Sequence, residues 1–245
     1  TLTSGSDSSL NSVFFINEST GYISGDGGTI LKTSDGGTTW NALTSGSSNS
    51  LISIFFTDVS SGYAVGNGGT LLNTSDGGMN WTSVSNGISS NFYSICFSHL
   101  NIGSVVGEYG IIIHTFNGGD TWESASTNTT INKLNSVAFI DKNTGVAVGD
   151  SGTIVRTTDG GDTWFKLNSG TSYKLRSVCF LNNNTGFIGG GGIIMKTSNG
   201  GASWRAVLSD TIWVNSIFFS NQEIGYAVGS SGNCLKTIDG GETWV

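Results

Sequence analysis

Few side chains in this chain have the types and neighbours to do chemistry, and they fall where an otherwise regular pattern is interrupted. Glu108 and Asp150 are acids that, held roughly 5–9.5 Å apart, could act as the acid and base of glycosidic bond cleavage. Trp213 stands beside polar neighbours, where an indole could stack on a sugar ring or anchor a peptide. Tyr173, Lys174 and Arg176 group two cations and a phenol able to meet a carboxylate or phosphate. Asp26 occupies the position equivalent to Asp150 earlier in the chain, and Tyr93 the position equivalent to Arg176. The two histidines, His99 and His114, have no visible catalytic partner, so no Ser-His-Asp or Cys-His arrangement is expected. Cys96, Cys179 and Cys234 lie in apolar runs and are expected to act as small buried hydrophobes rather than ligands or disulfides.

These positions are set by a repeat. The motif Asp/Asn-Gly-Gly-x-x-Trp ends at Trp40, Trp81, Trp122, Trp164, Trp204 and Trp244, with steps of 41, 41, 42, 40 and 40 residues. A period near forty built from short β-rich runs predicts a propeller with one four-stranded antiparallel sheet per repeat. Within the first repeat, strands are expected at Ser12–Ile16, Gly21–Gly25, Thr29–Thr33 and Thr39–Thr44, with a hairpin at Asp26-Gly27-Gly28. Each repeat opens on a serine: Ser12, Ser53, Ser94, Ser136, Ser177 and Ser216. From Trp40 to Ser53 is 13 positions, and joining Val245 to Thr1 places Trp244 13 positions before Ser12. The expectation is therefore an all-β, six-bladed propeller spanning residues 1–245 as one domain. In that reading, Thr1–Ser4 supplies the outer strand of the C-terminal blade and closes the ring.

The segments TSDGGTTW, TSDGGMNW, TFNGGDTW, TTDGGDTW, TSNGGASW and TIDGGETW resemble Asp-boxes, also called bacterial neuraminidase repeats. With the preceding GYAVG-type strands, the chain is similar to propellers of the photosystem II stability and assembly factor type. The physical role of the box is structural. A short Asp or Asn accepts hydrogen bonds from backbone just downstream, and the Trp fills the space between sheets, worth roughly 2–3 kcal/mol when buried. Asp35, Asp76, Asn117, Asp159, Asn199 and Asp239, with Trp40, Trp81, Trp122, Trp164, Trp204 and Trp244, are thereby assigned to structure. One carboxylate or amide per box falls short of the 6–8 oxygens that Ca²⁺ takes, so no metal and no cofactor are expected.

If boxes build the frame, ligands must meet the loops that join repeats and the second-to-third-strand hairpins. The hairpin tips carry Asp26, Asn67, Glu108-Tyr109, Asp150, Gly191 and Ser230. The residues before each opening serine are Asn11, Ile52, Tyr93, Asn135, Arg176 and Asn215. Two places further back lie Ser9, Ser50, Asn91, Lys133, Lys174 and Trp213, the last read as part of the loop Val207–Val214. The binding candidates are Trp213, Tyr93, Arg176, Lys174, Tyr173, Glu108, Asp150 and Asp26.

The net charge of −7 disfavours nucleic acid, and no apolar run is long enough to span a membrane. The Ser-, Thr- and Asn-rich composition suits an exported or cell-surface bacterial protein. A sialidase would need three arginines converging on a substrate carboxylate, as that family resemblance implies. Arg156 and Arg205 sit at strand and box positions here, leaving only Arg176. Resemblance to the assembly factor implies a non-enzymatic scaffold holding a partner polypeptide. The expected function is a monomeric, non-catalytic propeller binding a protein, peptide or glycan on its loop face. The alternatives are a glycoside hydrolase using Glu108 and Asp150, and a structural module without a ligand of its own.

Overall fold

The computed structural model describes residues 4–126 and 130–245. β-Branched and aromatic residues alternate with glycine-rich turns throughout, and the described chain is all strand and turn. The first sheet holds β1 (Leu10–Phe15), β2 (Gly21–Gly25), β3 (Ile30–Thr33) and β4 (Asn41–Leu43), paired in that order. The second holds β5 (Leu51–Phe56), β6 (Gly62–Gly66), β7 (Leu71–Thr74) and β8 (Thr82–Ser83). The third is built from β9 (Phe92–His99), β10 (Ile102–Gly107), β11 (Ile112–Thr115) and β12 (Glu123–Ser124). The fourth is built from β13 (Leu134–Phe139), β14 (Gly145–Gly149), β15 (Ile154–Thr157) and β16 (Phe165–Leu167). The fifth contains β17 (Leu175–Phe180), β18 (Gly186–Thr197), β19 (Arg205–Phe219), β20 (Gly225–Gly229) and β21 (Cys234–Thr237).

The expected six blades are thus corrected to five sheets. The cause lies in the fifth repeat, where Gly189–Gly192 replaces the short 3-10 turn that joins the second and third strands elsewhere, as at Asp26–Gly28 and Asp150–Gly152. β18 runs through these glycines without a turn, and β19 runs alongside it for fifteen residues. The stretch Val207–Val214, expected as a loop, is therefore strand, with Trp213 paired to Gly191. β19 serves both neighbours, pairing with β18 through Arg205–Trp213 and with β20 through Val214–Phe219. Two repeats share one sheet. The outer strand expected at Thr39–Thr44 shortens to Asn41–Leu43 because Thr39 is held by the box. The proposed closing strand Thr1–Ser4 lies largely outside the described residues; Ser4, which is described, is not in a strand.

The chain divides into two compact units, residues 1–107 with 115–123 and residues 108–114 with 124–245. In the first unit, the inner strands β1, β5 and β9 lie side by side over a core of Tyr22, Ile30, Leu51, Ile54, Phe56, Ala64 and Leu72. In the second, β13, β17 and β19 do the same over Val146, Val148, Ile154, Leu175, Val178, Ile188 and Met195.

Candidate functional site

The box behaves as its residue types dictate. Asp35 Oδ1 accepts from the Thr39 amide at 2.9 Å and the Thr33 hydroxyl at 2.8 Å, while Oδ2 accepts from the Thr39 hydroxyl at 2.6 Å. The Thr39 hydroxyl and amide, then Thr33, hold the Asp35 carboxyl at about 2. Asn117 and Asn199 keep the backbone bond and give their amide N–H to Thr121 and Ser203 at 2.8 Å. Each box Trp meets the last aromatic of its own first strand, as Trp81 meets Phe56 edge-on at 5.9 Å. Trp122 and Trp244 also meet an aromatic of the preceding repeat, Tyr63 and Phe187. These acids and indoles are occupied by structure.

Two further repeated contacts were not anticipated from sequence. The opening serine accepts the amide one past the next repeat's opening serine: Ile54 on Ser12, Ile95 on Ser53, Val178 on Ser136 and Ile217 on Ser177, all at 3.3–3.4 Å. The third-strand cation donates to the first box glycine of the next repeat, Lys32 to Gly77, Arg156 to Gly200 and Lys196 to Gly240. Arg205 pairs with Glu242 at 2.6 Å, so Arg156 and Arg205 are both committed to box regions and do not join Arg176.

At the other end of the strands, hairpin tips meet residues three before an opening serine in several repeats. The Asp26 amide donates to Ser9, the Asn67 amide to Ser50 and the Asp150 amide to Lys133, all at 2.9–3.0 Å. In the first unit, Asn11 bridges Asp26 at 3.0 Å and the Leu51 carbonyl at 3.1 Å. That bond, with Ser50 and Ser9, lowers the Asp26 carboxyl. Tyr93 is half-buried on β9.

The second unit repeats this tie and builds on it. Asn135 bridges Asp150 at 2.8 Å and the Leu175 carbonyl at 2.7 Å. Lys174 adds an ion pair to Asp150 at 3.2 Å. Half-buried Lys133 is lowered first by burial and then by the Lys174 charge, with Asp150 and Glu108 pulling the other way and Arg176 adding to the lowering. The Arg176 guanidinium lies 5.3 Å from the centre of the Trp213 ring, a cation–π contact, and the Trp213 side is 48% exposed.

Two glycines of the fifth repeat lie beside the exposed rings. A Cβ on Gly191 would stand 3.9 Å from the Trp213 ring, and one on Gly192 would stand 3.9 Å from the Tyr173 ring. Gly192 has φ +77, a backbone shape that side chains disfavour. Tyr173 and Trp213 thus flank two bare glycines, both rings about half exposed.

The structure therefore brings Glu108, Asp150, Tyr173, Lys174, Arg176 and Trp213 into one unit, with Asp26 and Tyr93 in the other. Lys133 is the site residue that sequence reasoning passed over. Its signal was positional equivalence to Lys174 and Trp213. Chemically, the cluster brings together three cations, two half-exposed aromatic rings and two carboxylates, with Lys174 and Asp150 paired to each other.

The chain matches the family described as photosynthesis system II assembly factor YCF48 over residues 42–134 and 125–213. A comparison with curated proteins finds no match. Among solved structures, the chain is similar to YCF48 bound to D1 peptide, at 22% identity over 99% of this chain and 83% of that chain, with a TM-score of 0.80. YCF48 from Cyanidioschyzon merolae aligns at 18% identity over 96% and 97% of the two chains, with a TM-score of 0.51. A GH74 enzyme of Niastella koreensis aligns at 16% identity over 94% of this chain and 45% of its own, with a TM-score of 0.78. At these identities the structural likeness is one of fold, the all-β propeller.

Proposed function

Because the chain belongs to the photosynthesis system II assembly factor YCF48 family, we propose that it is a non-catalytic scaffold holding a polypeptide segment. The segment would lie on the surface formed by Lys133, Lys174, Arg176, Tyr173 and Trp213. The observation that carries this reading is the Arg176–Trp213 stack beside the Lys174–Asp150 pair. Cation and indole together suit an aromatic or aliphatic side chain next to a carboxylate, which is peptide chemistry. The related structure that holds a D1 peptide favours a peptide over a glycan as occupant. Hydrolysis of a glycoside needs a carboxylate free to exchange a proton. Here the Asp150 oxygens face an amide and an ammonium group.

Fluorescence anisotropy with labelled D1-derived peptides and sequence-scrambled controls tests the reading. Saturable binding to wild type, weakened at least tenfold (about 1.4 kcal/mol) by Trp213→Ala, is the expected result. Equal binding by both proteins removes the site assignment. Binding to a glycan array with no peptide binding removes the peptide occupant.

A further inference from the structure

The hairpin tip of the third repeat departs from its neighbours twice, and both departures put apolar surface in water. Each tip needs a left-handed backbone at its second residue. Gly27 and Gly68 supply it at φ 65 and 63, and Ser151 and Ser231 take it in later repeats. In the third repeat the residue is Tyr109, at φ 56, where a bulky side chain is strained. Its ring is 72% exposed, so burial in the fold does little to offset that strain.

The second departure lies in the loop against which this tip packs. The last glycine of a tip is pressed onto a carbonyl of the following loop, leaving no room for a Cβ: Gly28 on Ser47, Gly69 on Ile88, Gly110 on Thr130 and Gly152 on Thr171. The next residue along is Ser48, Ser89 or Ser172 in three of these repeats, and Ile131 after Thr130. Ile131 is 84% exposed. An edge kept polar or bare elsewhere is apolar here, in two segments that touch.

Within the second unit, backbone contacts join this corner to the Trp213 cluster. Beyond the Gly110–Thr130 contact, the Asp150 amide donates to the Lys133 carbonyl at 2.9 Å, the Gly152 amide to Tyr173 at 2.7 Å and the Gly191 amide to Lys174 at 2.8 Å. Gly191 then pairs with Trp213. Tips and loops thus alternate in one row, with Tyr109 and Ile131 at one end and Trp213 at the other. Lys133 and Lys174 lie between them, and Arg176 lies against the indole. The buried Nε–H of Arg176 meets no acceptor among the described residues, which leaves the guanidinium short of one.

We propose, resting on the peptide-scaffold reading above, that this row takes one extended peptide, an acidic stretch flanked on both sides by apolar residues, with Tyr109 and Ile131 as its second anchor. Carboxylates of the segment would lie along the lysines and Arg176. Its two apolar side chains would cover the rings that the fold leaves exposed. A strained turn that presents a ring to solvent is then explained by what the ring contacts in the complex.

Fluorescence anisotropy with labelled synthetic peptides separates the two anchors. Each peptide carries a central Asp-Asp pair, with Phe on both sides, on one side or on neither, joined through Gly-Ser spacers of graded length. Wild type should bind the best doubly flanked peptide roughly tenfold more tightly than either singly flanked one. Tyr109→Gly with Ile131→Ser installs the residues of neighbouring repeats. This variant should lose that advantage and become indifferent to removal of one Phe, the coupling expected of side chains in contact. Its urea midpoint should equal or exceed that of wild type, since the turn is relieved. If the double variant keeps the full advantage while Trp213→Ala loses binding, the second anchor is overturned and the first site stands. No binding by wild type overturns both. A lowered urea midpoint in the double variant would assign Tyr109 and Ile131 to the frame and overturn the anchor as well.

Discussion

The same tie occurs in both units, and only one of them elaborates it. In the first, Asn11 joins Asp26 to the Leu51 carbonyl, and the neighbours at the next repeat are Ser50 and Ile52. In the second, Asn135 joins Asp150 to the Leu175 carbonyl, and the equivalent neighbours are Lys174 and Arg176. Hydroxyl becomes ammonium, and an aliphatic side chain becomes a guanidinium stacked on an indole. The backbone frame needs only the amide and the carboxylate, since the first unit is built without the cations. The additions in the second unit are not required by that frame, and the proposed peptide site is built on them.

The two classes of tryptophan give the largest separation between frame and site. Trp164 is 2% exposed and its N–H donates to Gly161 at 3.0 Å. Trp164→Ala should cost about 3–5 kcal/mol in urea unfolding. Trp213→Ala, at a half-exposed strand position, should cost under about 1 kcal/mol while removing peptide binding. Comparable losses of stability from both would erase the distinction.

Acid should act next, and on the frame. The Asp35 and Asp76 carboxyls are lowered from 3.8 to about 2, chiefly by the Thr39 hydroxyl and the Asn80 amide respectively. Asp239 is lowered further by its bonds to Thr243. A carboxyl depressed by folding stabilises the native state above its unfolded value and loses that contribution as pH falls toward its folded value. Stability should hold flat above about pH 5 and decline between roughly pH 4 and 2, followed by circular dichroism. A decline centred near neutral pH would point to other groups.

The smallest effect is expected from Asp35→Asn. Asn117 and Asn199 already do this work, with the hydroxyl partner accepting instead of donating. The urea midpoint at neutral pH should barely move, while the acid decline becomes shallower. A large loss at neutral pH would mean the carboxylate charge itself is required.

What could be read from sequence follows what each residue depends on. The box lies within eight consecutive residues and its bonds close locally, so Asp35 was legible as a turn acceptor, whereas Thr39, read as the start of the outer strand, is one of its donors. The nearness of hairpin tip and loop was legible from the fixed period, as where the Asp150 amide meets the Lys133 carbonyl. The opening serines and third-strand lysines were not, since their partners lie 40 or more residues away in the next repeat. The count of blades failed at Gly189–Gly192, where losing side chains removed the turn signal and let β18 and β19 run on. Trp213, singled out as the one Trp of seven outside a box, was misplaced in a loop for the same reason. Cys234, expected to be buried, is exposed.

The most direct measurement converts the second unit's site into the first unit's. Lys174→Ser with Arg176→Ile installs the residues found at Ser50 and Ile52, leaving the Asn135–Asp150 tie in place. Peptide affinity should fall by tenfold or more in an anisotropy titration, with the urea midpoint nearly unchanged. A double variant that binds peptide as tightly as wild type would contradict the assignment of this cluster as the binding site.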